Sequence, residues 1–171
     1  QNLRNGRITE LEALIFYELN IYEESMKKYA SLLKEEKASF SFSAVEQYCN
    51  IRSKYYVNQI LKKGRKADDF SLDFDTVIDQ LQGLAKLTET VERLNLLGST
   101  WKRKAIISEG KKKSDAYQES AKYYKKATEA AGEFNRYYSM TNWLCIEKAM
   151  ALNRTSGNKK SSDPGGEYDP G

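Results

Sequence analysis

Between Val91 and Gly132 the chain carries two apolar stripes of helical period with a short break between them, and this restricts the fold more than any other stretch. In the first half, Val91, Leu94, Leu97, Gly98, Trp101 and Ala105 recur at steps of three and four, which places them on one face of an α-helix. Gly98 stands inside that helix, where glycine costs about 1 kcal/mol against alanine, so the spacing predicts a neighbouring helix packed close against it. In the second half, Ala116, Tyr117, Ser120, Ala121, Tyr124, Ala127 and Ala131 repeat the period, with small residues alternating with tyrosines. Gly110 and the lysines Lys111 to Lys113 break the pattern, and Asp115-x-x-Gln118 reads as a cap for the second helix. The expected product is a helical hairpin.

The same reading extends along the chain. Residues 1 to 8 are polar and without period; Thr9-x-x-Glu12 then opens a first helix with Leu11, Leu14, Ile15 and Leu19 as its apolar positions. Asn20-x-x-Glu23 restarts a second helix that runs to about Glu36 through Tyr22, Met26, Tyr29, Leu32 and Leu33. After the connector KASFSF, Ser43-x-x-Glu46 caps a longer third helix bearing Val45, Tyr48, Cys49, Ile51, Tyr55, Tyr56, Ile60 and Leu61, and Gly64 ends it. A polar loop, GRKADDFSLD, leads to a fourth helix that begins at Asp75 and carries Val77, Ile78, Leu81, Leu84 and Leu87. The hairpin supplies helices five and six, and a seventh has Trp143, Leu144, Ile146, Ala149 and Met150 as apolar positions. From Arg154 the sequence turns to Gly, Ser, Pro and Asp, so the domain division expected is a helical repeat domain over 1–153 and a flexible tail or linker over 154–171.

Composition narrows the class. A chain of 171 residues with 40% hydrophobic residues and two prolines suits one all-α domain with a real core. No run approaches the ~20 apolar residues of a membrane span and no signal peptide opens the sequence, so the chain reads as soluble and cytoplasmic with no membrane partner. It starts at Gln1 without an initiator methionine and is expected to be part of a longer or processed protein. Cys49 and Cys145 both fall on apolar helical stretches and read as buried thiols. The net charge of +4 is too mild to specify an anionic partner.

The hairpin's spacing recurs. Leu94, Leu97, Gly98 and Trp101 map onto Tyr48, Ile51, Arg52 and Tyr55 in the third helix and onto Trp143, Ile146, Glu147 and Met150 in the seventh. Ser120, Tyr124 and Ala127 map onto Ser25, Tyr29 and Leu32, and onto Val77, Leu81 and Leu84. The unit is a repeated helix pair. With its Leu-Gly pair, the following Trp101, and SAKYYKKAT in the partner helix, the chain resembles the tetratricopeptide repeat family. That resemblance implies an all-α solenoid of antiparallel helix hairpins, about seven helices in all, acting as a protein-interaction scaffold. The intervals from Tyr55 to Trp101 and from Trp101 to Met150 imply units of about 45 to 50 residues against the family's ~34, and the family's closing proline is absent. LNLLGSTWKRKA also resembles, more loosely, repeat regions attached to caspase-like protease or signalling domains in large bacterial proteins.

Catalysis finds little to work with. The chain has no histidine, which removes the commonest general base and the Ser-His and Cys-His pairs. Glu23-Glu24, Glu35-Glu36 and Asp68-Asp69 read as solvated surface, and no phosphate-binding loop, dinucleotide fingerprint or metal-ligand spacing is present. The chain is therefore read as a non-enzyme without metal or cofactor. The resemblance implies a concave surface lined by the first helix of each pair, with Asn95, Ser99, Lys102 and Arg103 facing it and Ser53 and Tyr56 on the preceding unit. An amide, hydroxyls and two cations suit a carboxylate or a peptide backbone, so the expected partner is an acidic protein or peptide segment. The family's full Lys/Asn carboxylate clamp is not reproduced. Two alternatives stand beside this reading: a nucleic-acid-binding domain using the basic runs 52–66 and 102–113, and a regulatory arm that contacts another domain of the same polypeptide. Tyr55, Tyr56 and Trp101 interleave with the basic residues, but they are also the repeat's core positions and are read as core.

Overall fold

The computed structural model describes residues 2–34, 41–133 and 135–159. Those residues form seven α-helices and one 3-10 turn: α1 (Asn2–Glu18), α2 (Tyr22–Lys34), α3 (Phe42–Lys63), a turn at Ala67–Phe70, α4 (Ser71–Leu87), α5 (Val91–Ile107), α6 (Gly110–Ala130) and α7 (Tyr137–Lys159). Successive helices pack as antiparallel neighbours, and α3 also packs on α5, so the helices stack as a series of hairpins. No described helix is long and apolar enough to cross a membrane.

The core is distributed along the stack. Ala13, Tyr29, Leu32, Ala44 and Ile51 join α1, α2 and α3. Cys49, Tyr56, Phe74, Val77, Ile78, Leu81, Leu96 and Leu97 join α3, α4 and α5. Ala121, Tyr124 and Ile146 join α6 and α7. Each cluster thus ties only neighbouring hairpins, as a repeat array requires.

Two hairpins close by the same device. At Gly98 a β-carbon would stand 2.9 Å from the Tyr124 ring, so only glycine admits the tyrosine. Beside it, the Ser120 hydroxyl donates to the Gly98 carbonyl at 2.7 Å. In the first hairpin the Ser25 hydroxyl donates to the Ala13 carbonyl at 2.6 Å, with Tyr29 buried one turn on. Ser25 and Ser120, like Tyr29 and Tyr124, are the pairs that the repeat spacing aligns.

Several boundaries differ from those read in the sequence. α1 begins at Asn2 and runs through Thr9, because no proline interrupts residues 2–8 and helical hydrogen bonding needs no apolar period. Its apolar positions Leu11, Leu14, Ile15 and Leu19 are exposed; Ala13 is buried in the core with Tyr17 packed against it, because the face turned to α2 is the one whose small side chain lets the backbones approach. α2 begins at Tyr22; Asn20 adopts φ 60 in the turn before it, and residues 35 and 36 lie outside the described residues. The cap of α3 is Ser41, whose hydroxyl accepts from the Ala44 N–H at 3.1 Å, leaving the Ser43 box unused. Gly64 ends α3 at φ 67, as expected.

α4 starts at Ser71, four residues before Asp75, and the loop ahead of it folds into the 3-10 turn. α6 starts at Gly110, since the lysines 111–113 are good helix formers that continue the helix instead of breaking it. On α7 only Ile146 of the five expected apolar positions is fully buried; Leu144 is 51% exposed, and Cys145 is exposed where a buried thiol was expected. α7 has no described helix packed on its far side, which leaves that half of the stripe open. It runs on to Lys159, beyond Arg154, and residues 160–171 lie outside the described residues.

Candidate ligand cavity on the odd-numbered helices

α1, α3, α5 and α7 surround a polar cavity of about 360 Å³ lined by Tyr17, Asn50, Lys54, Glu92, Asn95, Leu96, Ser99, Arg103 and Tyr138. Its position follows from the stack. α3 and α5 touch directly, joined by an ion pair in which the Arg93 Nε donates to a Glu46 carboxylate oxygen at 2.6 Å. The Arg93 Nη1 caps the end of α4 by donating to the Leu84 and Thr88 carbonyls, so Arg93 serves the frame. α1 reaches the cavity through Tyr17, which accepts a hydrogen bond from the Lys54 ammonium; that ammonium also lies 4.4 Å from the centre of the Tyr17 ring.

Arg103 dominates the floor. Its Nη1 donates to Ser53 Oγ at 2.8 Å, Asn50 Oδ1 at 3.1 Å and Ser99 Oγ at 3.4 Å. All three acceptors are neutral, and no described carboxylate pairs with the guanidinium. Burial pushes the Arg103 pKa down from its ordinary value, an effect that the electrostatics of Tyr124, Tyr138, Tyr17 and Tyr22 oppose. The Asn95 Oδ1 is buried and has no hydrogen-bond donor among the described residues. The Tyr124 hydroxyl is buried too, with Ser99 and Tyr138 as polar neighbours but no well-formed hydrogen bond, and burial raises its pKa. A cation held by neutral groups is suited to a ligand of the opposite charge.

The residues expected to face a partner divide three ways. Asn95, Ser99 and Arg103 line the cavity. Ser53 is fully buried behind them and holds Arg103 in place, so it positions the guanidinium without facing the open space. Lys102 and Tyr56 lie elsewhere. Lys102 turns toward α7, donating to Asn142 Oδ1 at 2.7 Å over the Tyr124 ring, with its pKa lowered by burial and then by Arg103. Tyr56 lies on the α4 side, its ring 5.2 Å from Phe70 and 5.5 Å from Phe74, as core packing and not a groove requires.

Tyr17, Asn50, Glu92 and Tyr138 line the cavity without having been expected there. Asn50 stands one turn before Lys54 on α3, and that i, i+4 polar pair flanking buried Ile51 and Ser53 was the available signal. Tyr17 and Tyr138 come from helices whose register against α5 the sequence does not show.

The two basic runs do not form one stripe. Arg52 turns to α4, donating to Gln80 at 3.0 Å and to the Tyr56 hydroxyl at 2.9 Å. Lys104 pairs with Asp75 and lies 4.9 Å from the Trp101 ring, again toward α4. Arg65 pairs with Asp69 at 3.4 Å, and Lys62, Lys63, Lys66 and Lys111 to Lys113 are exposed at helix ends. Among the described residues no His/Cys/Asp/Glu group is arranged to hold a metal.

A family model described as Tetratricopeptide Repeats-Sensor matches residues 21–159. No curated protein matches the chain.

Proposed function

Because the chain belongs to the Tetratricopeptide Repeats-Sensor family, which makes it a protein-interaction or sensor module, we propose that α1, α3, α5 and α7 present their shared polar wall to an acidic protein segment. The observation that carries this reading is Arg103: a guanidinium on the floor of an open cavity, held by Asn50, Ser53 and Ser99 and paired with no described carboxylate. A rigid helical wall supplies the shape, and the fixed cation supplies the preference for negative charge. Binding by such a wall calls for no chemistry at the site, so the module acts as a non-catalytic scaffold.

A pull-down from native lysate, eluted in steps of rising salt with and without nuclease, tests this against Arg103→Met and Lys112→Glu variants. The reading expects a protein that survives nuclease, is lost with Arg103→Met and is retained by Lys112→Glu, since Lys112 lies at a separate cavity beside the Ala67–Phe70 turn. Material removed by nuclease, or released steeply by salt and lost equally with Lys112→Glu, would place binding on the basic runs instead.

A further inference from the structure

We infer that the outer face of α1 is a self-association surface: two copies of the chain pair through it, α1 against α1, antiparallel about a two-fold axis. This concerns the end of the stack and does not depend on the polar wall.

At 100° per residue, Ile8, Leu11, Leu14, Ile15 and Leu19 fall within an arc of about 140° centred opposite Ala13, which is buried against α2. All five are between 38% and 62% exposed. Ile8, Leu11, Ile15 and Leu19 succeed one another at steps of three and four, so they form a continuous seam, and an exposed apolar patch of that size marks an interaction site. The outer face of α7, at the opposite end of the stack, is interrupted by exposed Lys148 one turn after Leu144.

Two charges select the occupant and its direction. Arg7 and Glu18 are exposed and lie inside the same arc, one toward each end of the seam. Neither joins an ion pair among the described residues. They stand three turns apart, about 16 Å along the axis, which is too far to pair within one helix. A second α1 laid antiparallel, with the midpoints between Glu12 and Ala13 in contact, sets Arg7 of each copy opposite Glu18 of the other. In that register Ile8 falls between Ile15 and Leu19 of the second copy, and Leu11 falls beside its Leu14. A parallel pair would set Arg7 on Arg7 and Glu18 on Glu18. The seam is therefore complementary to itself in one direction only, as a two-fold dimer requires.

The five side chains of both copies bring roughly 1,000 Å² to the contact, at the lower bound for a specific interface, so the association is weak and concentration-dependent. A lipid surface fits less well: interfacial helices carry basic flanks, whereas the described charges nearest this seam are Arg7, Glu12 and Glu18. Tyr17, which reaches the polar cavity, points about 130° away from the centre of the seam, so seam and cavity do not compete for one face of α1. A pair formed this way carries two polar walls.

Sedimentation equilibrium on the chain, from about 1 to about 100 µM, should show a monomer passing to a dimer with a dissociation constant in the micromolar range, and the melting temperature should rise with concentration. Leu11→Glu, at an exposed position whose change leaves the fold intact, should weaken the dimer about 100-fold and remove that concentration dependence. Arg7→Glu and Glu18→Arg should each weaken it about fivefold at low salt, and the double variant should restore it, because opposite charges again face each other. A monomer at every concentration, a dimer that tolerates Leu11→Glu, or a double variant no tighter than either single one would overturn the proposal. Vesicles of mixed phosphatidylserine and phosphatidylcholine are the control: a monomeric chain that sediments with them, and fails to do so as Leu11→Glu, would overturn the pairing and assign the seam to a lipid surface.

Discussion

The second and third hairpins carry opposite residues at the same position of the repeat. In α5 it is Gly98, and α6 comes close enough that a β-carbon there would stand 2.9 Å from the Tyr124 ring. In α3 it is Arg52, whose guanidinium lies 5.3 Å from the Tyr48 ring and 5.9 Å from the Tyr56 ring and reaches across to Gln80 and Asp73 on α4. One hairpin closes by omission of a side chain; the other is spanned by the longest side chain available. One position therefore sets the spacing between helices, and the pair with the glycine is the tighter. The looser pair is the one whose loop contains the Ala67–Phe70 turn, which supplies Phe70 to cover Tyr56.

Tyr124→Ala, which empties a fully buried site, should lower stability by about 4 kcal/mol in denaturant unfolding, and an equal loss at Tyr29→Ala would show that the first hairpin closes as the third does. Gly98→Leu should cost about 3 kcal/mol by forcing α6 away, and an unchanged melting temperature would remove the close-approach argument. Arg52→Ala should cost about 2 kcal/mol through the lost hydrogen bonds to Gln80 and Tyr56, without loosening α5 against α6.

Alkaline titration follows the buried phenol of the first hairpin. Burial pushes the Tyr29 pKa up to about 12 from 10.0, so between those values the folded state holds a proton the unfolded state has lost. Stability present below pH 10 should fall by about 2 kcal/mol as pH rises through 12, and Tyr29→Phe should flatten that limb. Cys49, also pushed up to about 12 by burial, contributes in the same direction from its ordinary 9.0. The smallest effects are at the serine locks: Ser25→Ala and Ser120→Ala should each cost about 1 kcal/mol, and a large inequality would separate the two hairpins.

The third hairpin was legible because its apolar period, its glycine and its tyrosines agree: Leu94, Leu97, Gly98 and Ala105 on α5 and Ala116, Ser120, Ala121, Tyr124 and Ala127 on α6 are buried on the stripe, while buried Leu96 and Thr100 widen it. α1 was not. Its largest apolar residues point outward, whereas its packing depends on Ala13 and a backbone carbonyl, neither of which leaves a mark in hydropathy. The family match begins at residue 21 and so omits α1, yet the Ser25 lock makes α1 a member of the same stack. Capping boxes misled for a different reason. In a chain rich in glutamate, Ser, Thr, Asn or Asp meets Glu or Gln three residues on by chance; the working caps, Ser41 and Thr90, have Ala44 and Arg93 there instead. Glu46, expected in such a box, is the ion-pair partner of buried Arg93.

At the cavity the residues on α5 could be read because the repeat spacing gives their direction. Ser53 and Ser99 are aligned by that spacing, and both accept from Arg103. Lys102, next to Arg103 in sequence, points to another helix, since one residue along α5 turns the side chain by about 100°. Groups brought by α1 and α7 depend on how the hairpins stack, which no local pattern encodes.

The proposed function requires the odd-numbered helices to form the binding face. Hydrogen exchange on the chain with and without the nuclease-resistant partner tests it most directly. Added protection is expected at residues 50–54 on α3 and 95–103 on α5. Protection confined to α4 and α6, or to the Ala67–Phe70 turn and the start of α6, would contradict it.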